Sequence, residues 1–478
     1  PKQYHTPLDD TGNLDLGSLQ HQGDHALAMT RQLLLSEWTD PSSSRDAVYT
    51  DLGSHFILSW PAGRSPWLAG AILLSIILSF LFAGNACCWQ TQELLRGGVC
   101  WALIILLGII VGWLSATLLQ HLDSTPTPWP DRFHFDLLVP SLVAALSTLA
   151  IVAIIRTDPI VFYFLHAIAL ALGSLILSFM AEGFSYVLIL PAFMASLASF
   201  LLAGHNRRPR RLLPLCCFLV AAATSLVLVP FIKFLPTALG VFAAPPFISF
   251  LVVLLLLPLA PLLSSLARPL TSGLCFLLLA GAVWAGYTAL QSPCFSPEAP
   301  QQINLTYFEA SHRKDAQIAL SSWEGDIPLT LTRTLDPFPN ADELPYPLGS
   351  SLFSAPRAKL AGPDLELLKW NTTEQSHSAT IRLRPTIASQ EIQIRLNQAA
   401  GLSRVTALGV DIPLPEPDVN GQQSLLFRGV PEDGLEITLV WTSGPSLALS
   451  LIGITPNVPH QLEGLRAKRD KAPACPAH

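Results

Sequence analysis

The chain has 478 residues, of which 50% are hydrophobic and only 13% are charged, and its mean hydropathy is +0.45. A soluble globule carries about 25% charged residues, so a wholly soluble protein is excluded. The formal net charge of −6, with no basic tail, argues against nucleic acid as a partner. The deficit of charge is local: residues 67–290 hold long uncharged runs, whereas 1–66 and 291–478 have ordinary soluble composition.

The chain opens on Pro1-Lys2-Gln3 without a starting Met or a signal peptide, which reads as the C-terminal part of something longer. Tyr4-His5-Thr6-Pro7-Leu8-Asp9 follows. A neutral imidazole can ligate zinc, and a neighbouring phenol can donate to an oxyanion. A histidine between Tyr and Thr is by itself more often a surface loop residue. Ser18 is placed to cap a helix over about 19–38, with Leu19, Gly23, Ala26, Leu27, Thr30 and Leu34 along one face. Residues 47–53 and 56–61 then read as two short strands or an interfacial segment.

Apolar runs long enough to cross a bilayer cover roughly 67–83, 97–119, 137–155, 160–180, 184–203, 212–235, 243–266 and 270–290. In hydrocarbon each must be helical to satisfy its own backbone. Pro245, Pro246, Pro258 and Pro261 threaten the seventh. One set of links carries Arg96, Arg156, Arg207, Arg208, Arg210, Arg211 and Arg268, and the opposite set carries Arg132 with Lys233 near a helix end. The basic set belongs in the cytosol, which sends both chain ends outward. Buried ionisable residues would mark a transport path. His166 is the candidate, with Glu182 and Lys233 near span ends. A lone histidine among aromatic residues is more often a packing residue, and no internal repeat or second charged span accompanies it.

Beyond 291 the pattern turns to short alternating runs: 303–308, 380–384, 391–396, 435–440 and 447–452. The last two read as a hairpin across Ser443-Gly444-Pro445, and Gly/Pro punctuation suggests an antiparallel sandwich. His312, His377 and His460 are too scattered to nominate a metal site, and the eight cysteines contain no Cys-x-x-Cys pair. Cys294 and Cys475 bracket this region, so a disulfide tying its ends is one option in an oxidising compartment.

Tyr4-His5-Thr6-Pro7-Leu8-Asp9, Ser18-Leu19-Gln20 and Gly23-Asp24-His25-Ala26-Leu27-Ala28 together resemble the end of the catalytic domain in the zinc aminopeptidase family that includes aminopeptidase S and aminopeptidase Y. The likeness is greatest to its membrane-bound branch, with the endoplasmic reticulum metallopeptidase and the vacuolar membrane protease. It covers about residues 1–66; beyond that it is one of architecture. The resemblance implies a remnant of an α/β peptidase domain over 1–40, a connecting segment over 41–66, about eight transmembrane helices over 67–290 and a non-cytosolic β-sandwich-like domain over 291–478. It implies a two-zinc site in the whole protein, with His5 as the last zinc ligand and Tyr4 as the neighbour that steadies the tetrahedral intermediate. Asp9 would support the loop, and Asp10 is a loop variation. The other ligands and the general base lie upstream in the family, so this chain alone lacks most of an active site. The implied activity is exopeptidase cleavage of peptides on the periplasmic or luminal side of a membrane. The alternatives are an inactive scaffold of the same branch or, with less support, a transporter.

Overall fold

The structure is a computed structural model. It describes residues 8–35, 46–52, 56–87, 89–123, 127–204, 209–311, 313–322, 324, 326–333, 335–338, 350–373, 376–385, 391–397, 401–417, 422–442, 447–455 and 458–471. They fall into two compact units, one drawn from 1–301 with 324–326, the other from 302–323 with 327–472.

The first unit opens with α1 (Leu16–Leu35). Its cap is Asp15, whose carboxylate accepts from the Ser18 N–H; Ser18, expected as the cap, lies inside the first turn. A carboxylate at this end satisfies an orphan donor and also meets the positive pole of the helix. No residue of α1 is buried, so the apolar stripe through Leu19, Leu27 and Leu34 lies exposed. Next comes the hairpin of β1 (Ala47–Leu52) and β2 (Phe56–Pro61), paired with Val48 opposite Trp60. The Trp60 indole donates to Ser65 Oγ at 2.8 Å, and Ser185 reaches the same oxygen at 3.1 Å.

Among the described residues, seven helices are long and apolar enough to cross a membrane. They are α2 (Ser65–Cys87), α3 (Thr91–Leu122), α4 (Phe133–Ile155), α5 (Pro159–Met180), α6 (Tyr186–Gly204), α7 (Pro209–Leu256), which the short α8 (Ala260–Leu263) extends, and α9 (Arg268–Gln291). Their boundaries follow local chemistry. Asp158 caps α5 through the N–H groups of Ile160 and Val161 at 2.9 and 3.2 Å, with Pro159 in the first turn. Along α3, Gly97, Cys100, Ile104, Gly108, Gly112 and Ala116 form a buried stripe at helical spacing. The glycines and alanine of this stripe let helices approach closely. A Cβ added at Gly108 would strike Val253, and one at Gly112 would strike Ser249.

The long α7 is two rods. Gly240, at φ 65° and ψ −179°, takes a backbone conformation that only glycine adopts freely. Both sides of this break lie against the α3–α4 link: Trp129 Nε1 donates to the Thr237 carbonyl at 3.2 Å, and Val241 N–H to the Pro128 carbonyl at 2.8 Å. The far ends return to the other side of the bundle. Cys216 Sγ meets the Ala198 carbonyl in the second half of α6. Leu257 and Ala260 share a core with Cys100 at the start of α3, Val152 at the end of α4 and Phe162 at the start of α5. The helix therefore doubles back. The expected seventh span, over 243–266, exists as the second arm, and its prolines sit near its start and at its end.

The second unit is β-rich. Its strands are β3 (Asn304–Phe308), β4 (Ala316–Ser321), β5 (Ser351–Ala355), β6 (Asp364–Thr372), β7 (His377–Arg384), β8 (Glu391–Asn397), β9 (Leu402–Ala407), β10 (Val410–Ile412), β11 (Gln422–Arg428), β12 (Leu435–Trp441) and β13 (Leu449–Ile454). They make sheets in the orders β3-β4-β5, β10-β9-β12-β7-β6 and β11-β8-β13, and every pairing is antiparallel. The last two sheets share one core: Ile381, Ile437, Leu439 and Trp441 from one face Ile392 and Ile394 from the other. The sheet β3-β4-β5 has a core of its own around Ile318, Leu320, Phe353 and Leu462.

The expected hairpin of 435–440 with 447–452 does not form. β12 is flanked on both edges, by β7 and β9, and β13 pairs with β8 in the opposite sheet. With no free edge beside it, the following strand is sent across the sandwich.

Candidate functional site

Tyr4 and His5 lie outside the described residues, as do His312 and Cys475. The continuation of their motif is described. Asp10 caps the turn Thr11–Asn13, accepting from the backbone N–H and side-chain amide of Asn13, both at 3.0 Å. One turn into α1, His21 and His25 bring their Nε2 atoms within 3.1 Å of each other on an exposed face. Farther along the chain, His377 contacts Thr372 at 3.2 Å and lies beside the Trp441 ring. His460 pairs with Glu463 at 3.5 Å. Among the described residues no group of three or more His, Cys, Asp or Glu is assembled to hold a metal. The donor set for two zinc ions is therefore not among them.

His166 is on α5, 2% exposed. Its Nδ1 accepts from the Trp101 indole at 3.4 Å, while Nε2 has no partner among the described residues. Glu182 and Lys233, named with it as hints of a transport path, are both exposed, and Glu182 lies beyond the far end of α5. These three residues do not form one site.

What the structure does assemble is a buried ionic group that the sequence reading passed over. Arg132, just before α4, pairs through Nη2 with Asp123 at the end of α3 and stands 3.8 Å from Asp136 through Nε. Its Nη1 donates to the Ser292 carbonyl at 2.6 Å, beyond the end of α9. Cys294 Sγ contacts Asp123 Oδ2 at 3.8 Å, and the Cys294 carbonyl accepts from the Asp131 N–H at 2.7 Å. One guanidinium thus fastens the α3–α4 link to the segment after α9. Beside it Gln120 Nε2 donates to the Val241 carbonyl at 2.6 Å, which ties in the second arm of α7. The signal available in the sequence was the spacing of Arg132 and Asp136, four apart at a helix start. In the charge tally Arg132 had counted only as a link residue.

No protein family, curated protein or solved structure matches this chain.

Proposed function

We propose that the chain is the membrane-anchored portion of a zinc-dependent exopeptidase of the aminopeptidase type, acting on peptides outside the cytosol. The observation that carries this reading is the run Tyr4-His5-Thr6-Pro7-Leu8-Asp9 with Gly23-Asp24-His25 behind it. The order of elements supports it: one helix after the motif, a hairpin, a set of long apolar helices and an antiparallel β unit follow one another as in the membrane-bound branch. In this reading His5 would lend one imidazole nitrogen to a zinc ion and Tyr4 a phenol hydrogen bond beside it. The remaining ligands would come from motifs that precede this one in the family. The uneven distribution of arginine among the links supports placing both soluble parts in a periplasm or a lumen.

The test is aminopeptidase activity and zinc content of a chain that carries the upstream motifs, with His5→Ala as the variant. Losing one of two close metals from a co-catalytic pair removes most of its electrostatic assistance, so kcat/KM should fall by at least about 100-fold, with less zinc bound. Activity equal to that of the parent would overturn the assignment. A parent with neither activity nor zinc would favour the inactive scaffold.

A further inference from the structure

Among the described residues the buried side-chain charges where α3 meets α4 do not balance. Asp123 and Asp136 bring two carboxylates against the one guanidinium of Arg132. That guanidinium is committed to Asp123 and the Ser292 carbonyl. Its Nε lies 3.8 Å from Asp136, beyond hydrogen-bonding distance. The Asp136 carboxylate receives no hydrogen bond from any described residue, yet its side chain is only 12% exposed. A carboxylate so placed is costly unless a further positive charge meets it.

A small cavity adjoins the acids, lined among others by Gln120, Asp123, Thr127, Asp136, Val241 and Phe242. Thr127 on its wall is 2% exposed, and its Oγ1 has no partner among the described residues. A buried hydroxyl left unpaired costs about 1–3 kcal/mol, so this oxygen points independently to an occupant. Gln120 also lines the cavity, its amide nitrogen given to the Val241 carbonyl. The wall therefore offers carboxylate and hydroxyl oxygens. Hard oxygen donors select alkali and alkaline-earth ions over softer metals. Charge decides between those two: one positive charge brings the cluster to neutrality, whereas two would leave an excess beside Arg132. The space admits about one water-sized occupant.

We propose that this cavity binds a single monovalent alkali cation, of which sodium is the probe, through Asp136 and Asp123 with Thr127 Oγ1. The ion would join the end of α3, the α3–α4 link and the start of α4, making the packing of this end of the bundle dependent on sodium. The proposal is independent of the peptidase reading.

The experiment is thermal unfolding of the detergent-solubilised full chain in sodium chloride against choline chloride, at constant ionic strength and pH. Choline is too large for the cavity. A ligand that binds only the folded state stabilises it in a saturable way, so the midpoint should rise to a plateau with sodium. Asp136→Asn and Thr127→Val should each weaken the apparent sodium affinity at least tenfold while unfolding stays cooperative. If Asp136→Asn fails to fold, Thr127→Val decides. Equal midpoints in the two salts would overturn the proposal, as would a sodium response that survives in Thr127→Val. A saturable response to calcium or magnesium but not to sodium would overturn it as well.

Discussion

Where a single side chain replaces something the backbone has lost, its role is easy to state and easy to test. In an α-helix the N–H of residue i bonds the carbonyl of residue i−4. Pro245 has no N–H, so the Val241 carbonyl is orphaned, and the Gln120 amide takes that place from a neighbouring helix at 2.6 Å. A sequence shows the proline; it does not show which distant amide answers it. Glu309 in the β unit is a second case, with a side chain only 3% exposed. It accepts from the Tyr307 hydroxyl at 2.8 Å, Arg357 Nε at 2.9 Å and the Ala358 N–H at 3.0 Å. Burial alone would raise this carboxyl, but the hydrogen bonds from Tyr307, Arg357 and Leu360, with the Arg357 charge, outweigh it and hold the group below the ordinary carboxylate value. Burial, together with the carboxylate beside it, pushes the Tyr307 hydroxyl up to about 12, so it stays a donor at neutral pH. A carboxyl whose folded value is depressed adds stability above its unfolded value, about 4.3, and loses it as pH falls through the folded one. Glu309→Gln should therefore lower the stability of the β3-β4-β5 region at pH 7 by about 2 kcal/mol, and the difference from the parent should shrink below pH 4. Hydrogen exchange at β3 and β4, measured at both pH values, checks this; a difference independent of pH would refute it.

At the level of elements, sequence pattern located most helices and strands and was silent about their partners. The alternation in 435–440 is seen in the structure as β12, whose residues alternate between buried and more exposed positions. Its expected hairpin with 447–452 is absent because alternation fixes which face is buried and says nothing of which edge is already occupied. The start of α1 was misplaced for a related reason: Asp15 and Ser18 are both good caps, and the choice between them rests on three residues of context. The reversal in α7 is the converse case, since prolines signalled trouble in 243–266 while the turning point is a glycine. At Gly240 a Cβ would lie 2.6 Å from the Pro128 carbonyl oxygen, on top of the unfavourable φ. Gly240→Ala should thus cost at least about 1–3 kcal/mol and lower the unfolding midpoint in detergent. A midpoint equal to that of the parent would show that the chain turns elsewhere.

For the whole molecule, the arrangement of charge makes a prediction about orientation. Arg132 carries the only arginine of its set of links, and it is buried against Asp123 and Asp136, which leaves that side with still less free positive charge. The opposite set keeps Arg96, Arg156, Arg207, Arg208, Arg210, Arg211 and Arg268. In a bacterial host, alkaline phosphatase fused after Gly183 should be active, and green fluorescent protein fused after Ser265 should fluoresce; the reverse pattern would invert the topology. By itself the sequence determined the division into a long apolar stretch and a β-rich part, because hydropathy and periodicity are properties of consecutive residues that every fold must respect. It also carried the only hint of chemistry, in Tyr4 and His5, which lie outside the described residues. The tertiary structure alone decided that α7 doubles back, that β12 and β13 face each other across a core, and that Asp123, Asp136 and Thr127 line one small cavity while Arg132 stands against the two acids. Each of these depends on which remote segment takes up a free edge, an orphaned carbonyl or an unbalanced charge, and that competition is settled only when the whole chain has packed.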